Sequence, residues 1–166
     1  MCLFLSIFIA STGLSLYAQE KTEDFESFLS QFTGSATFQY SRIKFPLANP
    51  IILLGDNEKE VSFPFTKEKW QLLDSDVFVV NRAYAEEAEN FYVSKYVQDE
   101  PERKEFEAGY EESEVDLRVV FELINGEWFV TDCYNSWYSF DLPADDLEET
   151  VLLVKEENDL FIEHYP

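Results

Sequence analysis

Apolar residues recur along this chain with two periods. Phe25, Phe28, Leu29 and Phe32 stand at i, i+3, i+4 and i+7, one face of a helix. Thr22 is placed to cap it, Glu23, Asp24 and Glu26 lie near its positive end, and Gly34 can stop it. A short second helical piece over 35–40 turns Phe38 inward. From 41 to 47 polar and apolar residues alternate, the pattern of a half-buried strand, with Pro46 setting it near an edge or an end. Residues 61–65 read as a strand. Thr66 opens a short helical turn reaching Trp70, 77–80 are strand-like, and 82–90 have helical residues without a clear apolar face. Residues 91–97 are β-rich, and 106–110 form a strand interrupted by Gly109.

The clearest element follows. Two β-rich runs, 115–124 and 127–134, flank Asn125-Gly126, a pair that suits a two-residue hairpin turn because both positions need φ > 0. A turn of that length sets the register. Ile124 then faces Glu127, Leu123 faces Trp128, Phe121 faces Val130, Val119 faces Asp132 and Leu117 faces Tyr134. This register puts Asp132 and Tyr134 on the apolar face with Leu117, Val119, Phe121, Leu123, Trp128 and Val130. Arg118, Val120, Phe129 and Cys133 fall on the other face. After 141 two readings remain. Pro143 can open a helix to Lys155 with Leu147, Val151 and Val154 inward, or 151–154 and 160–162 can pair as a hairpin.

Charge is distributed unevenly. The first 18 residues carry none, and the whole formal charge of -22 lies after Ala18. That head reads as a secretory signal cleaved before Gln19, which places the mature protein in the periplasm or outside the cell; the alternative is a retained apolar anchor. The 16 Phe, 9 Tyr and 3 Trp indicate a packed domain rather than an acidic disordered tail. So negative a field repels phosphate backbones and anionic bilayers. Nucleic acid is therefore excluded as a partner, as is a membrane once the signal is removed. What remains is a small ligand or a protein, neutral or cationic. Without the head Cys133 is the single cysteine, so no intramolecular disulfide forms, and His164 is the only histidine. Neither a multi-histidine nor a thiolate metal site is possible, and no cofactor-binding motif occurs.

Three segments together resemble a known family. They are Phe25-x-x-Phe28-x-x-x-Phe32, then Phe38-Gln39-x-Ser41-Arg42-Ile43-Lys44-Phe45-Pro46-Leu47, and finally Lys69-Trp70 with the Phe121 to Val130 hairpin. Over residues 23 to 137 the chain looks like a family of exported Bacteroidota proteins catalogued as a domain of unknown function. The resemblance implies an α+β, nuclear transport factor 2-like cone, with N-terminal helices packed on a curved antiparallel sheet. The expected organisation is thus a signal peptide over 1–18, this domain over 19–140 and a C-terminal extension over 141–166. The family brings no catalytic residues to carry over.

Candidate chemistry centres on Asp132. In the hairpin register it is the one carboxylate on the apolar face, and a carboxylate there must pair or give up its charge. Arg42 is a possible partner, unless Ile43 and Phe45 claim the inner side of its strand and turn it outward. Tyr92, Tyr96 and Tyr110 are polar partners that a cone pocket could supply. Trp128 and Tyr134 complete the ligand-binding candidates. Tyr134, Trp137, Tyr138 and Phe140 either stack on a ligand or belong to the core. Two functions follow: a non-catalytic ligand- or partner-binding module, or a small-molecule enzyme with Asp132 as general base.

Overall fold

The computed structural model describes residues 22–166, so the head expected over 1–18 lies outside the described residues. Helices α1 (Phe25–Gly34) and α2 (Ala36–Ser41) form where the periodicity places them. Asp24, rather than Thr22, caps α1. Its carboxylate accepts the Ser27 N–H at 2.9 Å, and that bond lowers the carboxyl's pKa. An anion serves the free N–H groups of a helix start better than a neutral hydroxyl does. Ser35 ends α1 and caps α2 through the Phe38 N–H. Phe25, Phe28 and Phe32 are buried, and each meets the Phe121 ring edge-on at 5.4 to 5.9 Å, the geometry favoured by aromatic quadrupoles.

The helices pack on a five-stranded antiparallel sheet. Its strands, β3 (Asn81–Ala85), β4 (Asn90–Asp99), β5 (Arg103–Tyr110), β6 (Val115–Ile124) and β7 (Glu127–Asn135), lie side by side in chain order. A separate hairpin pairs β1 (Ile51–Leu54) with β2 (Glu60–Phe63). Asn125 and Gly126 both take positive φ, 53° and 83°, as the two-residue turn requires. The fold is thus α+β with helices on a curved antiparallel sheet, as expected.

Curvature comes from irregularities in three successive ladders. One residue is extra at Val97 in β4, one at Asp116 in β6 and one at Thr131 in β7. Each bends its strand and moves the following side chains to the opposite face. At Thr131 the effect overturns the regular register. Asp132 pairs with Val120 and Cys133 with Val119, so Cys133 joins the core while Asp132 turns to the outer face. Turn chemistry sets a hairpin's register only as far as the first bulge.

Three further expectations are corrected. Residues 41–47 do not form a strand. They touch β7 at one parallel bridge, Ile43 to Val130, because Pro46 has no N–H with which to extend a ladder. Residues 77–80 are not a strand either: Asp74 caps a 3₁₀ turn over Ser75–Phe78, which delivers Phe78 to the core. The region 82–90 is not one helix: its first half belongs to β3, where pairing with β4 overrides the helix propensity of Ala83 and Ala85, a 3₁₀ turn spans Glu86–Ala88, and Asn90 opens β4.

The tail is one helix, α3 (Leu147–His164). Leu147 and Val154 are buried as the helical reading expects, and Thr150 and Asn158 are buried beside them, so the segment expected as an extension shares the domain's core. Asn158 works with Gln39. It is Gln39 of α2 that is fully buried, while Phe38 is only half-buried. Residues 70–73 run through the core without a strand partner, so their backbone polar groups need other partners. Gln39 donates to Leu73 O and Phe32 O, and accepts from Leu73 N and from Trp70 Nε1, at 2.7 to 2.9 Å. Asn158 accepts from Leu72 N and donates to Trp70 O, both at 2.7 Å. Replacing Gln39 by Leu strands four buried groups, and the expected loss of stability is about 3 kcal/mol or more. Asn158→Leu should cost about 2 kcal/mol on the same argument. Chemical denaturation of both variants measures this; losses under about 0.5 kcal/mol would show that the segment holds without the amides.

Candidate functional site

The 70–73 segment forms the floor of a cleft of about 840 Å³. Gln71, Leu72 and Leu73 line its base. The inner face of the sheet forms one wall, with Tyr92 and Ser94 from β4, Leu117 from β6 and Asn135 from β7. Glu157, Phe161 and His164 of α3 form the opposite wall, and Trp137 and Tyr165 also line the cleft. Asn135 ties floor to sheet: its Nδ2 donates to Gln71 Oε1 at 2.9 Å, and its Oδ1 accepts the Trp137 N–H at 3.0 Å. Ser94 holds the lip by donating to Val79 O at 2.6 Å and accepting the Asn81 N–H.

The sequence-predicted residues do not gather in this cleft. Of the seven, Tyr92 lines it. Burial, and then the nearby Asp116 carboxylate, push the Tyr92 phenol above its ordinary pKa. Tyr110 stands edge-on to Tyr92, ring centroids 5.1 Å apart. Tyr96 packs against Phe25 and Phe106 in the core, where burial raises its pKa to about 12. Trp128 is buried beneath Phe25, its indole N–H donating to Glu23 O. Tyr134 lies beside Pro50 and Glu114, away from the cleft. Arg42 turns outward and pairs with Glu23 at 2.8 Å and Glu127 at 3.3 Å, its guanidinium against the Phe38 and Phe129 rings.

Asp132 is buried, yet it is engaged on the outer face. It accepts from Asn49 N at 3.1 Å, Asn49 Nδ2 at 2.5 Å and Arg118 at 2.6 Å. Its partner is Arg118 and not Arg42, because the Thr131 bulge places Asp132 beside the strand position that Arg118 occupies. These contacts pin residue 49 and the bend at 47–50 to the sheet. Cys133 is packed in the core, and burial pushes its thiol pKa far up, so it is not a reactive thiol.

Sequence reasoning missed Gln71, Asp116, Asn135 and the α3 residues. Asn135 directly follows the hairpin and could have been found by extending it. Asp116 reaches the cleft through a bulge, and α3 lies beyond the segment in which the resemblance was drawn.

A protein-family model matches residues 23–162. The chain belongs to that family. A crystal structure of a Bacteroides caccae protein described as cystatin-like is 56% identical, with a TM-score of 0.85, covering 89% of this chain and 98% of its own. A solution structure from Bacteroides uniformis is 58% identical with a TM-score of 0.83, covering 88% of this chain and 99% of its own. Another, from Bacteroides ovatus, is 56% identical with a TM-score of 0.82, covering 93% and 100%. No curated protein matches the chain. The family is thus a Bacteroides family of unknown function, and its members share this architecture over nearly their full length.

The outer-face pair gives a direct test. Asp132→Asn should destabilise the fold by about 2 kcal/mol, since it removes the charge facing Arg118. In a double-mutant cycle Arg118→Met should be coupled to it by about 1 kcal/mol, whereas Arg42→Met should add independently. Coupling to Arg42 instead would mean that the register past Thr131 is the unbulged one.

Proposed function

We propose that this protein is a non-catalytic binding module that holds a small molecule in the cleft between the sheet's inner face and α3. One observation carries the reading. The cleft has the volume of a small-molecule site, and its floor is a segment held in place by the Gln39 and Asn158 amides, so it is pre-formed. The enzyme reading relied on Asp132 as a general base in the pocket. With Asp132 held by Asn49 and Arg118 outside the cleft, that reading has lost its base. In architecture we read the domain as nuclear transport factor 2-like: α1 and α2 pack on one face of a sheet curved by three bulges, and the cleft lies on that same concave side.

A fragment screen by amide chemical-shift mapping tests the cleft. Binders should perturb Leu73, Tyr92, Asn135 and Trp137, and Ala83→Trp at the exposed rim should weaken them about tenfold or more by filling the entrance. Hits confined to other surfaces, or hits indifferent to Ala83→Trp, would reject the site.

We also propose export. The uncharged head ending at Ala18 supports it. N-terminal sequencing of the native protein should begin at Gln19 in an extracytoplasmic fraction, and an intact Met1 form in the cytoplasm would reject export.

A further inference from the structure

The charged side chains around the cleft, like most of the molecule's, are carboxylates. On the outer face of the sheet several carboxylates are matched by cations: Glu105 and Asp132 with Arg118, Glu122 with Arg103, Glu111 with Arg82. The cleft is lined by Asp74, Asp76, Asp116 and Glu157, and none of the four forms an ion pair among the described residues. No lysine or arginine of the described residues lines it. Its one basic ring, His164, uses Nδ1 to donate to Leu160 O at 2.9 Å.

Two further features act in the same direction. The last turn of α3 lines the cleft through Leu160, Phe161 and His164, and the C-terminal end of a helix carries partial negative charge. Tyr92, Trp137, Phe161 and Tyr165 add aromatic rings, whose faces attract cations. Unpaired carboxylates along a partly apolar concave wall focus negative potential inward. A phosphate or carboxylate ligand would meet repulsion from these carboxylates, and a neutral ligand would leave the field unused.

We propose that the occupant of the cleft is an organic cation, a protonated amine on an aromatic or apolar body, with Asp116 beside Tyr92 as its principal counter-charge. This rests on the cleft being a ligand site. Asp116 is favoured over the others because it is the least exposed to solvent together with Asp74, whose carboxylate is already occupied in capping the 75–78 turn.

The test uses two scaffolds in three charge forms: tryptamine and phenethylamine, their N-acetyl derivatives, and indole-3-propionate and 3-phenylpropionate. Titrations followed by chemical shift should show both amines binding at the cleft about tenfold or more tighter than the neutral forms, with the carboxylates weakest. Amine binding should weaken as salt is raised to 0.5 M. Asp116→Asn should weaken the amines about fivefold or more and leave the acetyl forms unchanged. Its denaturation midpoint, checked in parallel, should match wild type, which separates lost charge from lost fold. Equal or tighter binding by the neutral or anionic forms overturns the proposal and leaves the cleft reading intact. Failure of all six probes to move any cleft resonance also overturns it, and the cleft reading then stands or falls on the fragment screen.

Discussion

An extended segment runs through the middle of this domain, and the rest of the structure depends on how its backbone is satisfied. Residues 70–73 have no strand neighbour, and Trp70, Leu72 and Leu73 are buried, so most of their backbone cannot rely on water. An unpaired peptide group there would cost on the order of 1 to 3 kcal/mol. Two side-chain amides remove that cost. An amide is the suitable group because one side chain both donates and accepts, which is what a bare peptide unit needs. Gln39 comes from the N-terminal helices and Asn158 from the C-terminal helix, so the same bonds join the two ends of the domain.

That joint explains why the cleft exists. α3 meets the body of the domain at Val154 and Asn158, while its final turn continues past the floor without closing on the sheet. The bulges bend the strands around the phenylalanines of α1, and the cleft lies between that curved sheet and the last turns of α3.

Much of the core could be read from the sequence, and much of the site could not. The Phe25, Phe28 and Phe32 spacing and the Asn125-Gly126 turn are local signals, and both survive in the structure. Asp132 was read in a regular register. A single extra residue at Thr131 reverses its face, and no local pattern announces a bulge inside so β-rich a run. Gln39 was passed over because a polar residue beside Phe38 looks solvent-facing; only the distant Leu73 backbone makes it an interior residue. The stretches at 77–80 and 82–90 failed for the matching reason, since a capping Asp74 and a neighbouring β4 decide them and propensity does not.

The electrostatic arrangement supplies the last step. A chain of net charge -22 must spread its carboxylates or neutralise them, because close like charges oppose the compact state. On the outer sheet face the few available cations are spent on neutralising carboxylates one by one, with Arg118 serving two of them. Four carboxylates around the cleft have no ion pair, as is true of many elsewhere on the surface, and no Lys or Arg of the described residues lines the cleft beside them. Asp132, the buried carboxylate that first draws attention, already has its partners in Asn49 and Arg118, so the proposed site rests on the cleft and not on Asp132.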